Sequence, residues 1–94
     1  MDVEHVEQGA KGAFVLVEAN EHVGEMTYSK AGSNLLIIDH TEVADKLRGQ
    51  GAGKTLVLAA VAYARKNNLK ILPLCPFAKA VFNRSPELHD VLNT

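Results

Sequence analysis

Residues 48–55 read Arg-Gly-Gln-Gly-Ala-Gly-Lys-Thr, and an apolar helical pattern follows them directly. Three glycines ahead of a helix are typical of a phosphate-binding loop. Glycine lets the backbone approach the ligand closely, and the first N–H groups of the helix point at it. The final Gly-Lys-Thr is also the ending of a nucleotide-binding P-loop. The spacing of the stretch decides which phosphate ligand it predicts.

This spacing argues against a nucleotide. A P-loop has the pattern G-x-x-x-x-G-K-S/T, which requires glycine at position 48, where this chain has Arg48. The dinucleotide pattern G-x-G-x-x-G fails as well, because counting from Gly51 places its third glycine on Leu56. A nucleotide-binding regulator is therefore the weakest interpretation of the stretch.

The sequence on either side of the loop has the organisation of an α/β domain. Three runs rich in β-forming residues precede it, separated by short polar turns, and they predict an antiparallel meander. A helical pattern, a short apolar strand and two short helical patterns follow, so the last strand returns parallel beside the third through a helical crossover. These segments are 13–19, 23–30, 35–43, 51–68, 69–75, 76–84 and 85–92.

Length and composition favour one small domain over residues 1–94 that handles a small molecule. Residues 1–12 are polar and acidic, and they predict either a loose tail or, through Val3 and Val6, a short edge strand. The net charge of -1, with two tyrosines, three phenylalanines and no tryptophan, argues against nucleic-acid binding. The longest apolar segment, 56–64, is too short to cross a bilayer.

The cysteine and histidine content bears on the compartment and on metals. Cys75 is the single cysteine and cannot form an internal disulfide, so we expect a reducing, cytoplasmic setting. His5, His22 and His89 show no metal-ligand spacing, and no metal site is expected.

The loop resembles the acetyl-CoA loop of the GNAT superfamily of N-acetyltransferases, whose pattern R-x-x-G-x-G is matched by Arg48, Gly51 and Gly53. Downstream, CPFAKAVF at 75–82 is similar to the family's N-x-x-A-x-x-L-Y. HTEV before the loop and PLCPF after it look like a group of minimal, single-domain GNAT-like proteins. The resemblance covers residues 13–84. It implies a reduced acyl-CoA N-acyltransferase fold, with a GNAT-like mixed sheet made of an antiparallel meander, a β-α-β crossover and a C-terminal helix.

The resemblance also implies acetyl-CoA as the cofactor, with the pyrophosphate of CoA on the loop and the first helical turn. The residues implied are Arg48, Gly49, Gln50, Gly51, Ala52, Gly53 and Lys54. The backbone of Glu42 and Val43 is expected to pair with the pantetheine amides like an extra strand. The thioester is expected where strand 35–43 parts from strand 69–75. Pro73 favours such a parting, because proline cannot donate a ladder hydrogen bond.

Two side chains are the candidate catalytic groups. Pro76 suits the first position of a helix, so Cys75 is the expected N-cap, and a thiol there has a lowered pKa. Cys75 could take the acetyl group itself or donate a proton to the CoA thiolate. His40 is the candidate base that removes a proton from the acceptor, since histidine changes charge near neutral pH and strand alternation places it on one face with Glu42. A water-mediated role of Glu42 as base is the alternative.

Two departures from the family pattern keep a second function open. The helices that a full-size GNAT protein has between its first two strands are missing, and Phe82 stands where the family has a tyrosine. The main hypothesis is an acetyltransferase whose acceptor is an unidentified amine or thiol, as a monomer or homodimer. The alternative is a non-catalytic acyl-CoA-binding or protein-interaction module.

Overall fold

The computed structural model describes residues 1–47 and 49–93, and within them a five-stranded mixed sheet carries two helices. The strands lie side by side in chain order; the first four pair antiparallel, and the last two pair parallel. The predicted meander and β-α-β crossover are confirmed. The strands are β1 (Asp2–Gln8), β2 (Lys11–Glu18), β3 (Glu21–Ala31), β4 (Leu35–Val43) and β5 (Lys70–Pro73); the helices are α1 (Ala52–Asn67) and α2 (Pro76–Arg84), with 3₁₀ turns at Asp45–Leu47 and Pro86–Val91.

The first segment of the chain is part of the sheet rather than a tail. Residues 2–8 form the edge strand β1, which pairs along its whole length with β2. Ring contacts hold it there: His5 stacks on Phe14 with centroids 4.4 Å apart, and its Nε2 contacts the Tyr28 hydroxyl. Stacked rings of this kind stabilise cross-strand pairs beyond their buried area.

Helix α1 packs its apolar stripe on one face of the sheet. Leu56, Val57, Ala60 and Ala64 recur at helical spacing and are fully buried. Asn68 ends the helix in a left-handed conformation, with φ of 57°, and its N–H bonds the Ala64 carbonyl oxygen. No helix among the described residues is long and apolar enough to span a bilayer.

A bulge in β4 decides which side chains face the helices. The register with β3 shifts between Thr27 and Tyr28, which pair with His40 and Ile38, so Asp39 is an extra residue in β4. Ile38 lies in the core before the bulge. Beyond it the alternation resumes with Thr41 on the helix-covered face and His40 on the opposite, open face.

Strands β4 and β5 part halfway along β4. Their pairing ends at Ile38 and Pro73, followed by one last hydrogen bond, 3.1 Å long, from the Leu74 N–H to the Ile38 carbonyl oxygen. Strand β4 continues to Val43 with no strand on that edge among the described residues. The parting that Pro73 predicted therefore opens a gap in the sheet beside the start of α2.

Candidate functional site

A cleft of about 520 Å³ lies between the free end of β4 and the N-termini of both helices. Its walls include Val43 of β4, Gly51 and Lys54 at the start of α1, and Phe77 and Arg84 of α2. The volume is in the range of small-molecule sites. The cleft thus joins the glycine loop to the gap between the strands.

The loop that enters α1 presents unused backbone donors to this cleft. Gly49 and Gly51 have φ of 79° and 74°, a left-handed conformation that favours glycine. Gly51 is the N-cap, and no described side chain caps the helix. The first helical hydrogen bond runs from the Thr55 N–H to the Gly51 carbonyl oxygen, 3.0 Å, so the N–H groups of residues 52–54 have no acceptor in the helix. These donors, at the positive end of the dipole, fit a pyrophosphate.

The other predicted loop residues do not all face the cleft. The Gln50 side chain donates to the Lys46 carbonyl oxygen at 3.2 Å, so it holds the loop rather than facing the cleft. Ala52, Gly53 and Lys54 line the cleft. The prediction for Arg48 lies outside the described residues.

Cys75 sits at the N-cap of α2, as Pro76 predicted, and is 6% exposed. Burial raises the pKa of its thiol, but the Thr41 hydroxyl and the backbone N–H groups of Ala78, Phe77 and Thr41 outweigh burial, and the pKa lies below its ordinary value. The thiol makes no capping hydrogen bond, and Thr41 Oγ1 is buried without a hydrogen-bond partner among the described residues, so these groups act on the sulfur without forming full hydrogen bonds. They still favour the thiolate.

This lowered pKa predicts the pH dependence of thiol alkylation. A lower pKa means more thiolate at neutral pH, so the iodoacetamide rate should reach half its plateau at a lower pH in the folded chain than in the same chain unfolded in urea. The pH midpoints are compared rather than the plateau rates, because burial of the thiol slows its alkylation in the folded chain whatever its pKa is. Thr41→Val should move the midpoint upward. A folded midpoint at or above the unfolded one would contradict this account of Cys75.

His40 and Glu42 occupy the open face of the sheet. His40 Nε2 lies 3.1 Å from Glu42 Oε1, and their side chains are 64% and 78% exposed. Their shared face follows from the alternation of β4. Cys75, next to Thr41, lies on the helix-covered side, so the structure does not bring His40 and Cys75 onto one face. They flank the gap in the sheet from opposite sides.

The backbone N–H and carbonyl groups of Thr41 and Val43 form the free edge of β4. The carbonyl oxygen of Glu42 faces Gly24 in β3, and the next N–H, that of Ala44, bonds the Val23 carbonyl oxygen at 2.8 Å. Backbone groups alternate between the two edges of a strand, so Thr41 and Val43 face the gap. The predicted pairing edge thus includes Val43, with Thr41 in the place given to Glu42.

Sequence reasoning did not single out Thr41 or Phe77. The signal for Thr41 was available, since a residue between His40 and Glu42 must face the opposite side of the strand. Phe77 carried no periodic signal, and its contact with the loop depends on how α1 and α2 pack.

A depression of about 590 Å³ lies at the end of the sheet, and its lining includes residues of the open face. Glu25 and Glu42 are directly opposite each other in register, and the Glu25 side chain makes no hydrogen bond or ion pair with a described residue. Val15 and His22 also line it. Like charges directly opposite on two strands are destabilising, so this wall favours a cationic ligand. Across residues 1–47 and 49–93, no three His, Cys, Asp or Glu side chains are grouped as metal ligands.

Several solved structures with the same fold are acetyltransferases. A GCN5-like protein from Staphylococcus aureus is 40% identical, with a TM-score of 0.73, over 96% of this chain and 87% of that one. Two less similar proteins share the fold. A ribosomal-protein-alanine N-acetyltransferase from Brucella melitensis is 18% identical, with a TM-score of 0.72 over 82% of this chain. A GNAT acetyltransferase from Elizabethkingia anophelis with acetyl-CoA bound is 16% identical, with a TM-score of 0.67 over 83% of this chain. This chain spans 62% and 54% of those two proteins.

The sequence model described as GCN5-related N-acetyl-transferase matches residues 13–91. The chain therefore belongs to the GCN5-related N-acetyltransferase family. A search of curated proteins finds no match. Family membership gives N-acetyltransferase as the class of enzyme.

Proposed function

We propose that this chain binds acetyl-CoA in the cleft and transfers its acetyl group to a small amine by way of Cys75. One observation carries the proposal: the uncapped start of α1 lines the same cleft as Thr41 and Phe77, the two cleft residues that face the N-cap thiol of α2. The start of α1 is a site for a pyrophosphate, and the N-cap of α2 is a site for a reactive thiol. All the groups required lie on one chain, so the proposal needs no second subunit. It places the protein in the reducing cytoplasm, where the thiol stays free.

Binding is assigned to backbone groups first. The N–H groups of residues 52–54 bind the pyrophosphate oxygens, and Lys54 adds charge at the same end of the cleft. The free edge of Thr41 and Val43 pairs with the pantetheine amides. The arm of the cosubstrate then leads from the loop to Cys75.

Cys75 acts as the acceptor of the acetyl group. Its thiolate sulfur forms a bond to the thioester carbonyl carbon, the bond from that carbon to the CoA sulfur breaks, and the CoA thiolate leaves with the electron pair. The backbone N–H groups of Phe77 and Ala78 stabilise the thiolate before attack. No oxidant or reductant is needed, because one thioester replaces another. Proton donation to the CoA thiolate by a neutral Cys75 is the other role open to this residue.

The amine reaches the acetyl group from the open face. Glu25 and Glu42 attract it as an ammonium ion, which must lose a proton before it can attack. His40 accepts that proton, and Glu42, 3.1 Å away, stabilises the imidazolium that forms. The amine nitrogen then bonds to the acetyl carbon, the bond from that carbon to the Cys75 sulfur breaks, and the Cys75 thiolate leaves with the electron pair while the nitrogen loses its second proton to water. The two carboxylates are the reason for an amine rather than a thiol acceptor.

Replacing His40 by glutamine tests the assigned base. His40→Gln should lower kcat/KM at neutral pH by about 10²-fold, the usual contribution of a general base. His22→Gln is the matched control and should keep the wild-type kcat/KM, because His22 lines the depression that holds Glu25 and Glu42 but lies on β3, which does not border the gap. An unchanged kcat/KM in His40→Gln excludes His40, and the same loss in Glu42→Gln would favour the carboxylate.

The alternative is a module that binds acyl-CoA without turning it over. Calorimetric titrations with acetyl-CoA, CoA and ATP come first, and the proposal requires binding of both CoA compounds and not of ATP. Release of the free CoA thiol is then followed with and without simple alkylamines. Binding with no amine-dependent release would identify the non-catalytic module, and binding of ATP alone would reject both.

A further inference from the structure

Gly53 is glycine for a steric reason. Its φ is not in the left-handed region, unlike that of Gly49 and Gly51. A Cβ built on Gly53 would instead collide with the Phe77 ring, with Cζ and both Cε atoms among the atoms it meets. The aromatic ring of α2 therefore packs directly on the backbone of the first turn of α1. A side chain at position 53 would force that ring to move.

Phe77 touches both the start of α1 and Cys75: its ring packs on Gly53, and its backbone N–H faces the Cys75 thiol. It is two residues from Cys75 and 41% exposed, large for an aromatic residue whose ring also packs on another helix. Phe77 lines the cleft together with Gly51 and Val43. No other aromatic side chain among the described residues lines it. A ligand that extends from the loop toward Cys75 therefore has the Phe77 ring beside it.

We propose that Phe77 is the positioning residue for the pantetheine arm, and that Gly53 is kept free of a side chain so that the ring can take this place. This inference rests on the proposed acetyl-CoA site. The ring forms an apolar wall opposite the free edge of β4, and burial of the arm's carbon chain against it holds the thioester at Cys75. Phe77 acts through this contact and takes no part in bond making.

Two substrates distinguish the contribution of the Phe77 ring from that of the phosphate site. Acetyl-CoA carries the pyrophosphate and the arm, whereas S-acetylpantetheine carries the arm alone. Phe77→Ala should raise the KM of both compounds at least about tenfold, as loss of an aromatic contact does in binding sites. Gly51→Ala should raise the KM of acetyl-CoA and leave that of S-acetylpantetheine unchanged. Leu58→Ala, an exposed apolar residue of α1 outside the cleft, is the control that should change neither.

A double-mutant cycle tests the pairing with Gly53. Gly53→Ala alone should weaken acetyl-CoA binding at least about tenfold, because the displaced ring enters the cleft; in the Phe77→Ala background the same change should cost less than about twofold. Dissociation constants from calorimetry provide this comparison without turnover. If Phe77→Ala leaves both KM values unchanged, or if the two substitutions are additive, the inference is wrong. If wild type does not bind acetyl-CoA at all, the proposed function fails first, and this inference fails with it.

Discussion

Replacing Cys75 by alanine is expected to lower acetyl transfer to an amine by at least about 10³-fold, as the loss of a catalytic nucleophile does in other enzymes. The Cys75 thiolate is the only protein group that forms a bond to the acetyl carbon in the proposed reaction. The backbone N–H groups of Phe77 and Ala78 and the loop before α1 remain in place in the variant. The dissociation constant for acetyl-CoA should therefore change less than about threefold. Steady-state release of CoA and calorimetric titration measure the two effects.

The variant Cys75→Ser separates the role of Cys75 in acetyl transfer from its role in the stability of the fold. Serine is a preferred N-cap, so the free energy of unfolding should be equal to or higher than that of wild type. Its hydroxyl does not ionise at neutral pH, so transfer should fall nearly as far as in Cys75→Ala. Urea unfolding and CoA release on the same preparations give both values. Full turnover in either variant would remove Cys75 from the mechanism and leave it as a buried N-cap residue.

Gly51→Ala is expected to weaken acetyl-CoA binding at least about tenfold. Alanine in the left-handed conformation costs roughly 1–2 kcal/mol, and the loop relieves this strain by turning its N–H groups away from the cleft. Gly51 has φ of 74° and is the N-cap of α1, so the change acts where the pyrophosphate is assigned. Calorimetric titration with acetyl-CoA measures the loss.

Gly32→Ala is the matched control for this strain. Gly32 has φ of 64° in the turn between β3 and β4, with open space around it and no part in the cleft. Both variants should lose a similar free energy of unfolding, and Gly32→Ala should bind acetyl-CoA as wild type does. Equal dissociation constants in Gly51→Ala and wild type would show that the loop does not hold the cosubstrate.

The order of strands and helices was accessible from the sequence because each element carries its own local signal. The apolar stripe of α1 and the Pro76 after Cys75 are local features, and the helices that they predict are present in the structure. The sequence does not decide whether β1 forms, because the strand is held by the stacking of His5 on Phe14, a contact that no periodicity reports.

The face of the sheet on which each site residue lies could not be predicted in the same way. Strand alternation gives His40 and Glu42 a common face, but which face depends on the extra residue Asp39 in the bulge. One residue of register changes the face of every side chain beyond it. The contact of Phe77 with Gly53 likewise depends on the packing of two helices that are distant in sequence. The glycine at 53 was thus matched to a motif, whereas its physical reason lies in α2.

The central claim is that the cleft passes an acetyl group from CoA to Cys75. Intact-protein mass spectrometry of the chain mixed with acetyl-CoA and quenched in acid, without any amine, tests it most directly. We expect the mass of one acetyl group on wild type, located to Cys75 by peptide mapping, absent from Cys75→Ala and lost again when an amine is added. An unmodified Cys75 under conditions in which acetyl-CoA is bound and amine is acetylated would contradict the claim.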